Sequence, residues 1–121
     1  MTESETFMLN VSQSVPGLSD VLREHEAEYD EILPHVLMGD VSRIALRLAE
    51  EAEDGSASAD AALMQLMQEL ERGLQVGGES VQELIVVSFL ENLDEEDPRF
   101  PDLEKRFGAQ LRWEWSRLGE V

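Results

Sequence analysis

The stretch E79-S-V-Q-E-L-I-V-V-S-F-L-E-N-L93 decides the fold. Ser80 and Glu83 have the spacing of a capping box, in which each side chain satisfies the other residue's free amide, so a helix is expected from Ser80 to Asn92. Val81, Leu84, Ile85, Val86, Val87, Phe89, Leu90 and Leu93 make that helix apolar nearly all round. A helix with so little polar face must be buried on most sides, which makes it the expected centre of the molecule. Other helices are then needed to cover it.

The flanking sequence supplies them. Leu63, Leu66, Met67, Leu70 and Leu74 line one face at helical spacing, and Gly77-Gly78 suit a C-cap because glycine tolerates positive φ. This segment and 80–93, joined by the Gly-Gly turn, resemble one HEAT-like helix pair, although no fixed period recurs along the chain. Val41, Ile44, Ala45, Leu48, Ala49 and Ala52 form another stripe, with Asp40 after Gly39 as its expected N-cap. Leu18, Val21, Leu22, His25, Tyr29 and Ile32 or Leu33 trace a further face, limited by Pro34. Phe7, Met8, Val11 and Val15 predict a short helix over 5–15. Pro98 and Pro101 bracket an expected loop, and Leu103, Phe107, Leu111, Trp115 and Leu118 give a last stripe, interrupted at Gly108. No segment alternates as a strand would. The expectation is an all-α fold, a compact single-domain bundle of six or seven helices over 1–121, with a flexible linker near 54–58 and an acidic loop near 94–101.

A chain of 121 residues with 42% apolar content is sized for one core. Its longest unbroken apolar runs, such as Leu84 to Val87, are far short of the roughly 20 residues that span a bilayer. The acidic start Met1-Thr2-Glu3-Ser4-Glu5 lacks the basic region of an export signal, and without cysteine there are no disulfides or thiolate metal sites. A cytoplasmic location is expected.

Nine Lys and Arg against 27 Asp and Glu leave a formal net charge of -18. A field of that sign repels nucleic acid and anionic membranes and attracts basic proteins. It is unevenly placed: residues 99–121 carry a net +1, and residues 1–98 a net -19.

Catalytic and metal-binding patterns are weak. H25-E-A-E-Y-D-E-I-L-P-H35 resembles a zinc-protease motif, but Tyr29 stands where the second histidine is needed and His35 lies beyond Pro34. His25 and Tyr29 share the apolar face, where packing and a hydrogen bond are the expected fate of their polar tips. Asp94-Glu95-Glu96-Asp97 offers oxygens, but consecutively, with Arg99 where a calcium loop places glycine. The acidic pairs sit on outer helix faces, without the cleft that separates two carboxyl pKa values. No cofactor, no metal and no enzymatic activity is expected. Trp113 lies about 160° from the middle of the stripe Leu111, Trp115 and Leu118, so it is expected to be exposed, as an interface anchor is.

Residues 29–46, YDEILPHVLMGDVSRIAL, and residues 79–93 resemble a family of small, acidic, all-α bacterial proteins of uncharacterised function, of the kind found beside polymorphic toxins as immunity proteins. The resemblance implies a non-enzymatic protein that neutralises a cognate toxin by direct contact, and makes ILPHVLMGDV a helix-to-helix junction shaped by Leu33, Pro34 and Gly39. It carries no catalytic residue. Charge supports the same direction, because toxins that cut nucleic acid hold phosphates with basic surfaces. The expected partner-binding residues are Asp94, Glu95, Glu96 and Asp97, with Glu50, Glu51, Glu53 and Asp54, and Trp113 as anchor. The rival readings are a DNA mimic or adaptor for a basic host protein, a small-ligand or metal-dependent enzyme, and a homo-oligomeric module in which a second copy covers helix 80–93. Self-repulsion favours a monomer or weak dimer.

Overall fold

The computed structural model describes residues 1–119. Among them are seven α-helices and one π-helical segment, with no strand. The helices are α1 (Glu3–Ser14), α2 (Leu18–Tyr29), α3 (Pro34–Glu53), α4 (Ala57–Val76), α5 (Glu79–Leu84), α6 (Phe100–Glu104) and α7 (Ala109–Leu118), and Ile85–Leu90 continues α5 as a π-helix. No helix among the described residues is long and apolar enough to cross a membrane.

The expected stripes are mostly the buried ones; Tyr29, expected on the buried face of α2, is instead 39% exposed at the end of that helix, with its ring beside His25. Met8 and Val11 of α1, Leu18 and Leu22 of α2, Leu63, Leu66, Met67 and Leu70 of α4, and Val81, Leu84, Ile85, Phe89 and Leu90 all enter one core. The centre, however, is shared. α3 packs against α4, the π segment, α6, α1, α2 and α5, which makes it the helix around which the others gather. The stretch 79–93 is covered by its own chain, with Val87 its exposed large apolar side chain at 43%. Its premise for a second covering copy is thereby reduced to one valine.

Several boundaries differ from the sequence reading. α3 begins at Pro34, not after Asp40, because proline lacks the amide that a first helical turn leaves unbonded anyway and its fixed φ suits that turn. Pro34 therefore opens α3, while α2 has already ended at Tyr29, with Asp30 in the left-handed region at φ 60°. Gly39 is not part of the junction: it is buried within α3, where an added Cβ would touch Asn92 Nδ2 at 3.5 Å. Asp40, instead of capping, pairs with Arg43 one turn on. The capping box expected at Ser80 and Glu83 does not form; Gly78 is the N-cap and Ser80 Oγ donates to Glu3 Oε1 at 3.3 Å. The capping box of the molecule is at the other end, between Thr2 and Glu5.

Gly77 is needed for space, whereas Gly78 meets only the flexible, exposed Glu3 carboxylate. Gly77 and Gly78 are extended, and side chains there would overlap the Gly73 carbonyl and the Glu3 carboxylate respectively. Positive φ is instead used at Gly55, at 100°, in the turn between α3 and α4. That turn is shorter than the linker expected at 54–58, since Ser56 caps α4 through the Ala59 amide at 3.2 Å and Ala57 and Ser58 are already helical. Pro101, expected in a loop, lies in the first turn of α6.

Gly108 separates α6 from α7 for a reason that lies in α4. The Glu71 carboxylate reaches across and accepts the first free amides of α7, from Gln110 at 3.0 Å and Leu111 at 3.3 Å. Four amides at a helix start lack an internal partner, and a negative charge there also meets the positive end of the helix dipole. A Cβ at residue 108 would overlap that carboxylate. Gly108→Ala and Glu71→Ala are each expected to cost about 1–2 kcal/mol in urea unfolding. Because both act through one contact, the double variant should lose clearly less than the sum. Strict additivity would show that Gly108 does not protect the Glu71 cap.

Candidate functional site

The C-terminal end of α3 ends in acids because Glu50, Glu51, Glu53 and Asp54 fall on and beyond its last turn, outside the buried stripe. The loop after the π segment carries Asp94, Glu95, Glu96 and Asp97, and α6, which follows it, packs on α3. One member of each acidic group expected from sequence, Asp97 and Glu50, is thus brought near Arg99. Arg99 marks the seam: its charge is stabilised by hydrogen bonding to Asp97 and by the nearby carboxylates of Asp97 and Glu50.

Within this edge the acids are not equivalent. Asp97 accepts the Arg99 amide at 2.8 Å and the guanidinium at 3.1 Å from Nε and 2.9 Å from Nη2. These side-chain bonds first, then the amide, lower its pKa to about 2. Asp94 accepts the Glu96 amide at 2.9 Å. An acidic loop after a helix end is unfavourable as plain charge, but two of its acids also serve as local backbone caps. Glu53 pairs with Lys105, and Glu51 lies 3.8 Å from Arg47. Glu50, Asp54, Asp94, Glu95 and Glu96 remain exposed and form no ion pair among the described residues.

Beside the acids lies an aromatic cluster. Phe100 and Trp115 have ring centroids 4.9 Å apart, and Phe107 stands 6.3 Å from each. Phe100 and Phe107 are buried, while Trp115 is half-buried. With Leu93 and Leu118, Trp115 walls an open groove of about 510 Å³, edged by Glu91, Asp94 and Glu95. Trp113 is apart from it. Two residues from Trp115 is about 200° around a helix, so Trp113 faces outward, 56% exposed, with the Arg117 guanidinium 4.6 Å from its ring centre.

Residues 8–120 match a family described as a domain of unknown function, DUF7674. The chain belongs to that family. No curated protein and no solved structure matches the sequence. As the family description names no activity, the site of this DUF7674 domain is read from its own geometry.

The histidines of the opening motif part company. His25 is buried, lies 4.8 Å ring to ring from Tyr29, and its Nε2 accepts the Leu33 amide at 2.9 Å, which ties the end of α2 to the start of α3. His35 is exposed and its Nδ1 contacts Ser88 Oγ. The fold also assembles a serine–histidine contact that sequence spacing does not show, the residues being 53 apart. Ser88 is only 5% exposed, however, and neither side chain lines the aromatic groove or the grooves along α1 and α4. The pair forms a polar contact between α3 and the π segment, and Ser88's carbonyl accepts from Asn92 at 2.7 Å. Among the described residues no group of three or more His, Asp and Glu is placed to hold a metal ion.

Asp97 gives a pH prediction. Its folded pKa lies below the ordinary carboxylate value, so the stability it adds is fully present above about pH 4 and lost as pH falls through about 2. Asp97→Asn should lower Tm at pH 6, and the difference from the unmodified chain should close between about pH 4 and pH 2. A difference that stays constant over that range would remove Asp97 from the acid response.

Proposed function

We propose that this protein is a non-enzymatic binding protein of the cytoplasm, an immunity-type inhibitor that neutralises a basic bacterial toxin by covering its surface. The observation that supports this reading is the approach of the acidic loop, through Asp97 and Arg99, to Glu50 near the α3 C-terminus of a tightly packed bundle. Exposed carboxylates held on a stiff frame attract a basic partner from a distance and lose little freedom when it arrives. The overall charge of -18 extends that field around the molecule. A toxin that grips nucleic acid presents the complementary surface. Glu50, Asp54, Asp94, Glu95 and Glu96 are the contact acids in this reading. Asp97 holds the loop through Arg99, and Glu53 is engaged by Lys105. Trp113, exposed on the far side of α7 from the groove, anchors a second, separate contact in this reading.

The test is affinity capture on the immobilised protein, elution with a salt gradient, and an activity assay of the captured partner. A basic toxin, encoded alongside and inhibited stoichiometrically, supports the reading. A chromosomal housekeeping protein replaces it with the adaptor or DNA-mimic reading. For the captured toxin, reversing Glu50, Asp94, Glu95 and Glu96 to lysine should slow association at low salt by about ten-fold or more and flatten its salt dependence. Unchanged association would take this edge out of the contact.

A further inference from the structure

We infer that the groove walled by Leu93, Trp115 and Leu118 takes one apolar side chain from a basic segment of the protein partner, so that the acidic edge and the groove read a single Lys/Arg-flanked apolar residue together. The inference deepens the reading above and rests on it.

Three observations converge. The walls are apolar and rigidly backed: Trp115 rests on Phe100, while Leu93 is 7% exposed and Leu90 beneath it is fully buried. The space, about 510 Å³, is open on one side, which admits a side chain together with the backbone that carries it. The described charges on the rim are all negative, from Glu91, Asp94 and Glu95, and none of the three is ion-paired among the described residues. An apolar slot alone would accept any hydrophobic segment. A slot ringed by unpaired carboxylates favours one whose apolar residue has cationic neighbours, and penalises one with acidic neighbours. The same ring disfavours a second copy of this chain, which brings -18 of its own.

The two tryptophans allow a direct test, because one lines the groove and the other does not. In a Trp113→Phe variant, Trp115 is the sole tryptophan, and excitation at the red edge of the absorption band selects it over Tyr29. This variant is titrated with a short lysine-rich peptide holding one central leucine, with the same peptide carrying serine for that leucine, and with a version in which glutamate replaces the lysines. The leucine peptide should shift Trp115 emission to shorter wavelength and bind at least about ten-fold more tightly than the serine peptide, the effect of burying one leucine side chain. Leu118→Gln, at a partly exposed position, should bring leucine-peptide affinity down to the serine-peptide level and leave serine-peptide affinity unchanged. Equal binding of leucine and serine peptides with no emission shift overturns the groove while leaving the acidic edge as a charge-only contact. Equal binding of the glutamate version overturns the basic occupant. Concentration-dependent sedimentation with the same emission shift, without peptide, assigns the groove to a second copy and also overturns it. Binding by none of the peptides overturns the groove inference, and the captured-toxin kinetics decide the acidic edge separately.

Discussion

The packing of α3 against Ile85–Leu90 is the contact from which the other elements take their places. It buries Leu37, Met38, Val41 and Ala45 on one side and Ile85, Phe89 and Leu90 on the other within one core. Removing that much apolar surface from water is the strongest driving force available to a chain whose charges repel one another. The π geometry belongs to this contact. Widening the turn to a Glu91-to-Val86 hydrogen bond shifts which side chains face α3, and it leaves Ser88 inward against His35 while Val87 turns out. With α3 fixed, its start is tied to α2 through His25 and Leu33, and its end presents the acids to α6.

The uneven charge in the sequence has a structural use that its sum conceals. The C-terminal fifth, net +1, folds back so that its cations meet acids from elsewhere in the chain: Lys105 with Glu53, Arg106 with Asp60 at 2.6 Å, and Arg99 with Asp97 and the field of Glu50. Glu53 and Asp54 stand at the negative end of the α3 dipole, where carboxylates are unwelcome. Arg99 and Lys105 offset that repulsion just where it is greatest. Glu71 does the converse, placing an acid at the positive end of α7. Exposed pairs of this kind add little one by one. Together they determine which carboxylates are left unpaired at the edge.

What the sequence could show was whatever repeats at helical spacing. The stripes of α1, α2, α4 and 81–93, the burial of His25 and the exposure of Trp113 follow from periodicity, and the structure has them. What it could not show was anything decided by a neighbour distant in the chain. Gly39-Asp40 looks like a helix start because local rules place caps there, yet packing against the π segment carries α3 through it, and the proline five residues earlier supplies the true start. Gly108 looks like a breaker, and only Glu71 explains why glycine is required. Ser80 and Glu83 have the right spacing for a box that Glu3 pre-empts at Ser80. At the candidate site, the acids were legible as two runs, but the approach of Asp97 and Glu50 to Arg99 depends on α6 lying against α3. Periodicity puts Trp115 in the core and Trp113 on the surface, and it has no category for a half-buried residue at the edge of the core, which is what Trp115 is.

That intermediate category bears on how such a surface would work. Unpaired charge acts over about a Debye length, so Glu50, Asp54 and Glu96 influence how fast a basic partner arrives and how it is oriented, and salt weakens them. A groove acts only on contact, so Leu93, Trp115 and Leu118 influence how long the partner stays. Affinity differences among related complexes reside mainly in dissociation, and an acidic edge alone would therefore bind many basic proteins quickly and none for long. Setting a shaped apolar slot within the same ring of carboxylates ties the slow step to one side chain of the partner. The exposed Trp113 cannot do this as well, because its ring is already faced by Arg117 on its own helix and no wall stands opposite it in the groove. On the proposed reading, discrimination would rest on the residue that is half-hidden, with the acids bringing partners to it.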